Sequence, residues 1–309
     1  MRKVRLGVVG IGYLGEFHAQ KYYRMPGVEL IGVVDINRKR ANRVAQQYRT
    51  KAYTNYPEIF DKVEAVSIVV PTQFHYQVAK DFLRQGVDIL LEKPITKTLS
   101  QAEELIKIAR ERNLILQVGH LERFNAAVTA MRQLLTQPLF IESQRLSPFP
   151  QRGIDVDVVL DLMIHDIDII LSIVNSRIKR VEAVGVPILT DKIDIANAWI
   201  RFGNGCVANI NASRVSSNSN RKIGIFQPDS YISLDYHTPK LSLYRKKAKG
   251  RKREPPAIRM EDIRLKRNDP LEEELKSFIN SVITRHPPLV SGMEGKKALE
   301  VALRIISKM

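Results

Sequence analysis

The chain has 309 residues, 44% of them hydrophobic, enough for two domains with cores of their own. No apolar run reaches the roughly eighteen residues of a membrane span, the N-terminus lacks a signal-peptide pattern, and the single cysteine, Cys206, excludes an internal disulfide and fits a reducing cytoplasm. A formal charge of +16 raises nucleic acid, an acidic partner or a membrane surface as partners.

Arg5-Leu6-Gly7-Val8-Val9 reads as a short strand that runs into Gly10-Ile11-Gly12-Tyr13-Leu14-Gly15. A helical pattern follows, then a second strand, Leu30 to Val34, ending on Asp35. Gly-x-Gly-x-x-Gly alone is weak. Placed after a strand, opening a helix, and with a carboxylate twenty residues beyond its last glycine, it predicts a dinucleotide site. Gly10 permits the tight turn, Gly12 lacks the Cβ that would hold a pyrophosphate off the backbone, and Gly15 lets the helix lie close on the strand. The loop amides and the helix dipole then hold the anion. The competing reading is an ordinary glycine turn in a βαβ unit. Asp35 is expected to accept hydrogen bonds from the adenine ribose diol and to repel a 2′-phosphate, so NAD is favoured over NADP. Arg38 and Lys39 follow within one turn and soften that repulsion.

Strand signals continue at Lys51 to Tyr53, Ala65 to Val70, Asp88 to Leu91 and Leu114 to Val118. Helical patterns lie between them near Arg38 to Gln47, His75 to Gln85 and Ser100 to Arg112, the last with Ser100 and Glu103 in capping-box spacing. Near-continuous apolar strands alternating with helices predict an α/β, doubly wound parallel sheet. Pro71-Thr72 closes one strand and should approach the nicotinamide or its ribose, with His75 just beyond. Leu91-Glu92-Lys93-Pro94 closes the next. Ligands of parallel sheets bind beyond the carboxyl ends of strands, so Lys93 is delivered to the cofactor crevice, where an ammonium stabilises a developing alkoxide. Pro94 fixes the backbone after it, with a cis bond as one option. The plainer reading of Lys93 is a surface lysine at a strand end.

After residue 120 the texture changes. A helix is expected over about Glu122 to Leu135, a strand near Phe140 to Leu146, and a very apolar helix over about Val156 to Val174. Its polar exceptions Asp157, Asp161, His165 and Asp168 fall, at 100° per residue, within about 80° of one another. Such a stripe on a buried helix should line a cavity. Asp161 and His165 sit i,i+4 apart, so the carboxylate can orient an imidazole acting as general base. A satisfied core histidine is the plain competitor, and a metal is discounted for want of further histidines. Asp155 and Asp166 face the other way and read as capping or solvated groups.

Period-two segments follow: Val181 to Ile188, Ile195 to Phe202, Cys206 to Ser213, Lys222 to Phe226, Tyr231 to Tyr236 and Leu241 to Tyr244. They predict a large, mainly antiparallel open sheet in an α+β domain. Arg245, Lys246, Lys247, Lys249, Arg251, Lys252 and Arg253 then crowd nine residues. No helix-turn-helix, zinc or RNA-binding signature accompanies them, so a solvated hairpin loop is preferred and no nucleic acid is expected. Asp269-Pro270-Leu271-Glu272 and Ser291-Gly292-Met293-Glu294 each cap a closing helix.

The Gly10-x-Gly12-x-x-Gly15 loop, Glu92-Lys93-Pro94 and Asp161-x-x-x-His165 together resemble the Gfo/Idh/MocA oxidoreductase family, in order and spacing over essentially the whole chain. The resemblance implies a Rossmann domain over 1–121 and a substrate-binding and oligomerisation domain over 122–309, with the last helix free to pack back on the first domain. It also implies a homo-oligomer, dimer or tetramer, built through the open sheet. Lys93, Asp161 and His165 would be catalytic. Gly10, Ile11, Gly12, Tyr13, Leu14, Gly15, Asp35, Pro71, Thr72, His75, Glu92 and Lys93 would face NAD.

Val118 to Asn125, Arg145 to Phe149, Asp157 to Asp166, Ala212 to Ser216 and Arg221-Lys222 are similar to the family's nucleotide-sugar 3-dehydrogenases, which act on UDP-N-acetylglucosamine. Met163 stands where the wider family has glycine, and Asp157-Val158-Val159 stands where it has a glycine run. Arg123, Arg145, Arg214 and Arg221 are then candidates for the substrate diphosphate, which bidentate guanidinium groups suit. The alternatives are a dehydrogenase of a free polyol or monosaccharide, of inositol or glucose type, and a cofactor-binding regulator without catalysis.

Overall fold

Runs of apolar residues too short for a helix and lacking polar alternation must bury both faces, and here they form one sheet. The computed structural model describes residues 3–149, 156–236, 238, 240–246, 258–265 and 268–309. It divides into two units, residues 1–121 with 269–299 and residues 122–268 with 300–309.

In the first unit the elements run β1 (Val4–Val9), α1 (Tyr13–Arg24), β2 (Val28–Val34), α2 (Arg38–Gln47), β3 (Lys51–Tyr53), β4 (Ala65–Ile68), α3 (Thr72–Arg84), β5 (Asp88–Glu92), α4 (Leu99–Glu111) and β6 (Leu116–Gly119). The six strands are all parallel, in the order β3-β2-β1-β4-β5-β6. The order reverses between β1 and β4, which is where such sheets bind ligands. Asn37 caps α2 by accepting from Arg40 N at 3.1 Å. The cap of α4 is Thr98, which accepts from Gln101 N at 3.3 Å; the expected Ser100 lies inside the helix.

Residues 269–299 return to this unit. In α7 (Pro270–Thr284), Asp269 caps by accepting from Glu272 N at 3.1 Å. Its apolar face, Leu271, Leu275, Phe278, Ile279 and Val282, joins one core with Leu6, Ile11, Ala19 and Tyr22.

The second unit holds an eight-stranded sheet in the order β14-β13-β12-β11-β7-β10-β9-β8. Its strands are β7 (Phe140–Leu146), β8 (Ile178–Val186), β9 (Ile195–Phe202), β10 (Val207–Ser213), β11 (Asn220–Phe226), β12 (Ser230–Asp235), β13 (Lys240–Lys246) and β14 (Ile258–Ile263). Only β7–β10 is parallel. Strand β14 was not expected: Ile258-Arg259-Met260-Glu261-Asp262-Ile263 has no buried face, and only pairing with β13 reveals it. Since β13 and β14 pair antiparallel, the basic run connects two hairpin partners; Lys247 to Arg253 lie outside the described residues.

One face of this sheet carries Ile141, Ala198, Ile200, Ile210 and Ile225, all buried, beneath α5 (Ala126–Gln133) and α6 (Ile164–Ile173). The expected 122–135 helix breaks into a 3-10 turn, Leu121–Phe124, and α5, because the Asn125 side chain accepts from Ala127 N at 2.9 Å and restarts the helix there. The opposite face presents a row set by register: Val207, Phe140, Phe226, Tyr231, Tyr244 and Met260. Phe226 and Tyr231 stack at 4.4 Å and Tyr231 meets Tyr244 at 5.4 Å. Among the described residues no helix is long and apolar enough to cross a membrane.

Candidate functional site

In the first unit the loop after β1 is packed so tightly that two of its glycines are obligatory. A Cβ on Gly15 would lie 1.9 Å from the Gly10 carbonyl oxygen. One on Gly10, whose φ is +88°, would lie 2.5 Å from Val69 O. A Cβ on Gly12 would meet nothing within 4 Å. Gly12 is also the N-cap of α1 and brings no side chain to cap it. The amide end of α1 therefore has no side-chain cap and lies beside a bare backbone, which fits a dinucleotide pyrophosphate. Tyr13 is exposed, Leu14 is half-buried, and the Ile11 side chain is fully buried, leaving that residue's backbone for the loop.

Asp35 ends β2 and is committed to this loop. Its Oδ2 accepts from Ile11 N at 2.9 Å and its Oδ1 from Asn37 N at 2.8 Å. Its cationic partner is Arg40, at 3.3 Å, rather than the expected Arg38 or Lys39. Asp35 thus shapes the turn from below while standing at the strand end.

Where β5 ends, Lys93 is half-buried and the Lys93–Pro94 bond is cis. Pro71, the N-cap of α3, is exposed, and Thr72 half-buried. Two residues expected at the cofactor lie beneath the loops instead. The Glu92 carboxylate turns inward to the buried His18 Nε2 at 3.3 Å, in space kept clear by Gly119, whose Cβ would lie 2.9 Å from it. His75 is buried, with Nδ1 2.8 Å from Pro94 O and Nε2 2.9 Å from Val70 O, and burial lowers its pKa despite both carbonyls. A neutral ring donates to one carbonyl at a time, so His75 ties the strand ends together.

In the second unit the expected single helix over 156–174 begins with a π turn, Val159–Met163, before α6. Its i→i+5 spacing breaks the uniform 100° progression from which the stripe was drawn. Asp157, Asp161 and His165 are each half-buried, and His165 stands between the buried Ile164 and Asp166. Asp157 ties the start of this segment to the 188–194 loop by accepting from Ile193 N at 3.0 Å. Asp168, expected to line a cavity with them, is instead buried, with its carboxylate against Arg123 Nη1 at 3.3 Å. Asp166 is not solvated either, being 1% exposed and paired with Arg145.

The arginines proposed for a diphosphate are mostly engaged. Arg145 donates from Nε to Asp166 Oδ2 at 2.6 Å, from Nη2 to Asp166 Oδ1 at 3.3 Å and from Nη1 to Glu122 Oε1 at 3.0 Å. Burial works against its charge, but Asp166 and Glu122 hold its pKa well above the usual arginine value. Arg214 is fully buried; it donates to Asp194 Oδ1 at 2.8 Å, Val156 O at 2.7 Å and Thr190 Oγ1 at 3.1 Å. Asp194 also accepts from the Ile188, Leu189 and Thr190 amides, so this pair gathers the 188–194 loop. Arg123, Arg145 and Arg214 are therefore structural cations in this arrangement. Of the four, Arg221 alone is exposed, on the helix-covered face opposite Arg145. Sequence reasoning missed His18, Glu122 and Asp194, because each meets a partner that no local spacing announces; it missed Arg40 by naming its neighbours Arg38 and Lys39 instead. Among the described residues no three His, Cys, Asp or Glu cluster to hold a metal.

The chain belongs to the Gfo/Idh/MocA oxidoreductases: residues 4–120 match the oxidoreductase family, NAD-binding Rossmann fold, and residues 132–229 match the GFO/IDH/MocA C-terminal domain. It is 40% identical over 306 residues to the UDP-N-acetylglucosamine 3-dehydrogenase of Acidithiobacillus ferrooxidans, covering 99% of this chain and 97% of that one. A crystal structure of that dehydrogenase superposes with a TM-score of 0.94 at 39% identity, over 100% of this chain and 98% of the other. The myo-inositol 2-dehydrogenase of Thermotoga maritima is 25% identical over 96% of this chain and 93% of its own length. Levoglucosan dehydrogenase in complex with NADH and levoglucosan shares the fold at 17% identity, with a TM-score of 0.88 over 99% of this chain and 97% of that one.

Proposed function

We propose that the chain oxidises a secondary alcohol of a nucleotide sugar, the 3-hydroxyl of UDP-N-acetylglucosamine, to a 3-keto sugar. The observation that carries this reading is the 40% identity over 99% of the chain to a dehydrogenase of that name. Bound NAD would supply the hydride acceptor, held at Gly10, Gly12 and Gly15 with Asp35 at the adenine ribose. Asp35 favours NAD over NADP, and Arg40 at 3.3 Å tempers that preference.

His165, oriented by Asp161, takes the hydroxyl proton as general base. The Lys93 ammonium stabilises the negative charge that develops on the same oxygen. Arg221, exposed where the other three arginines are buried, is the diphosphate ligand of choice. The aromatic row across the open face supports a homo-oligomer, dimer or tetramer, formed through that face. A cytoplasmic setting fits a chain with one cysteine, whose buried thiol is pushed up to about 11.

The deciding experiment follows NADH absorbance at saturating NAD with UDP-N-acetylglucosamine, its acid derivative, glucose and myo-inositol. Turnover confined to the nucleotide sugars is expected. Equal or better turnover of free inositol or glucose would overturn the substrate and favour the polyol reading, which the Thermotoga maritima relative keeps alive. NAD binding without NADH from any of them would favour a regulator.

A further inference from the structure

Helix α6 carries two carboxylates within three residues of His165, and both are buried where His165 is half-buried. Asp166 and Asp168 are 1% and 2% exposed, among Ile164, Ile167, Ile169 and Ile170, which are fully buried. Two bare carboxylates there would be costly, and both would stabilise a positive charge on the neighbouring imidazole. Each is instead met by a guanidinium from outside the helix. Asp166 receives a two-point contact from Arg145 of β7, which also bonds Glu122 and lies 5.6 Å from the Tyr236 ring centre. Asp168 receives one contact, at 3.3 Å, from Arg123 of the 3-10 turn, leaving Asp168 Oδ2 and Arg123 Nε buried without a hydrogen bond among the described residues.

Buried ion pairs are weak devices for stability. Well-packed apolar residues of the same volume often do as well or better, while half a pair is strongly destabilising. Two such pairs on the one helix that bears His165 call for another reason. We propose that Arg145–Asp166, reinforced by Glu122, and Arg123–Asp168 are positioning pairs for His165, which fix its helix on the sheet and set the charge felt by its imidazole. This deepens the proposed function and rests on His165 being its base. The balance is local. The groups facing this part of the helix are Asp161 from the π turn, Glu122 and Arg123 from the 3-10 turn, Arg132 from α5, Arg145 from β7, Arg221 from β11, and Tyr236 beyond β12. Removing Arg145 leaves two carboxylates without their cation. Removing the Asp166 charge leaves Arg145 matched to Glu122 alone.

The test is a titration of His165 in the full-length protein by NMR of its imidazole, assigned with His165→Asn, alongside kcat/KM against pH. Arg145→Met is expected to raise the His165 midpoint, and Asp166→Asn to lower it, each by about half a pH unit or more. The double variant should return toward the parent. Arg145→Lys keeps the charge but loses the fork, so it should leave the midpoint in place while lowering kcat. Arg123→Met and Asp168→Asn serve if Arg145→Met does not fold, with the same opposite signs. Midpoints that stay put, or move the same way in both folded variants, overturn the inference and leave a merely structural pair. Midpoints that move as expected while the acid limb of kcat/KM does not follow uphold it and refute His165 as the base.

Discussion

The two units hold their candidate site residues by different means. Around the loop after β1, the constraint is steric and local: a missing Cβ on Gly15, a missing Cβ on Gly10, and an aspartate twenty residues on whose Oδ2 accepts from Ile11 N. Around α6 and the 188–194 loop, it is electrostatic and long-range: Arg145 reaches Asp166 and Glu122, and Arg214 reaches Asp194. A steric cradle needs particular residues at particular spacings. A buried ion pair needs only opposite charges that meet once the chain has folded.

The largest expected effect falls on the two groups given chemical roles. Lys93→Met and His165→Asn should each lower kcat by about 10²- to 10⁴-fold, with the far-UV spectrum and melting temperature near those of the parent. Retained turnover in either removes that side chain from the mechanism. Matched losses of turnover and of melting temperature would instead return the residue to the packing.

Breaking the Arg214–Asp194 pair comes next, and it should cost fold rather than chemistry. Arg214→Met leaves a buried carboxylate without its cation, a loss of about 3–5 kcal/mol. Burial alone would raise the Asp194 pKa, but the Ile188, Leu189 and Thr190 amides and Arg214 prevail and hold it far below the ordinary aspartate value. A carboxylate with a lowered folded pKa contributes stability above its unfolded value, about 4, and loses that contribution as pH falls further. Urea unfolding at pH 6 and pH 3 reads this directly. The parent should lose stability toward pH 3, and Asp194→Asn should lose less over the same interval. Parallel losses would show that Asp194 does not carry the acid sensitivity.

This contrast also explains what was legible in the sequence. The parallel sheet, the glycine turn after β1 and the place of Asp35 at the end of β2 were readable, because period, spacing and glycine stereochemistry act along the chain. The Asp269 cap was readable for the same reason. The fate of Arg123, Arg145 and Arg214 was not. An arginine in a strand or a turn reads the same whether it faces a ligand or a buried aspartate, and the folded arrangement alone decides. The π turn was equally hidden, since Val159-Leu160-Asp161-Leu162-Met163 has an ordinary helical pattern. Asp166 and Asp168 were misplaced for the first reason, since their partners Arg145 and Arg123 arrive from other elements only after folding.

Within the steric cradle, two glycines separate fold from binding. Gly15→Ala puts a methyl 1.9 Å from Gly10 O, so the loop must shift, at a cost of about 1–3 kcal/mol or more. Gly12→Ala adds a methyl to open space and should leave the melting temperature almost unchanged while weakening NAD binding. Calorimetry in the absence of ligand, followed by an NAD titration, distinguishes them. Equal melting temperatures for both variants would mean that Gly15 is not the steric key, and unchanged NAD affinity in Gly12→Ala would take the pyrophosphate away from that backbone.

The smallest effect concerns Asp35, where charge modifies the steric design of the first unit. Asp35 accepts from Ile11 N and Asn37 N, so the loop turns on it, and it also meets Arg40 at 3.3 Å. If the carboxylate is the element that favours NAD, Asp35→Ala should weaken NAD about tenfold and NADP less, narrowing the preference. Arg40→Ala should act in the opposite direction. With the guanidinium gone, the carboxylate repels a 2′-phosphate more strongly, so NADP should weaken while NAD holds. Dissociation constants for both dinucleotides in both variants form the comparison. If the two substitutions shift the NAD-to-NADP ratio the same way, Arg40 is only a scaffold for Asp35, and the cofactor preference resides in the shape of the loop.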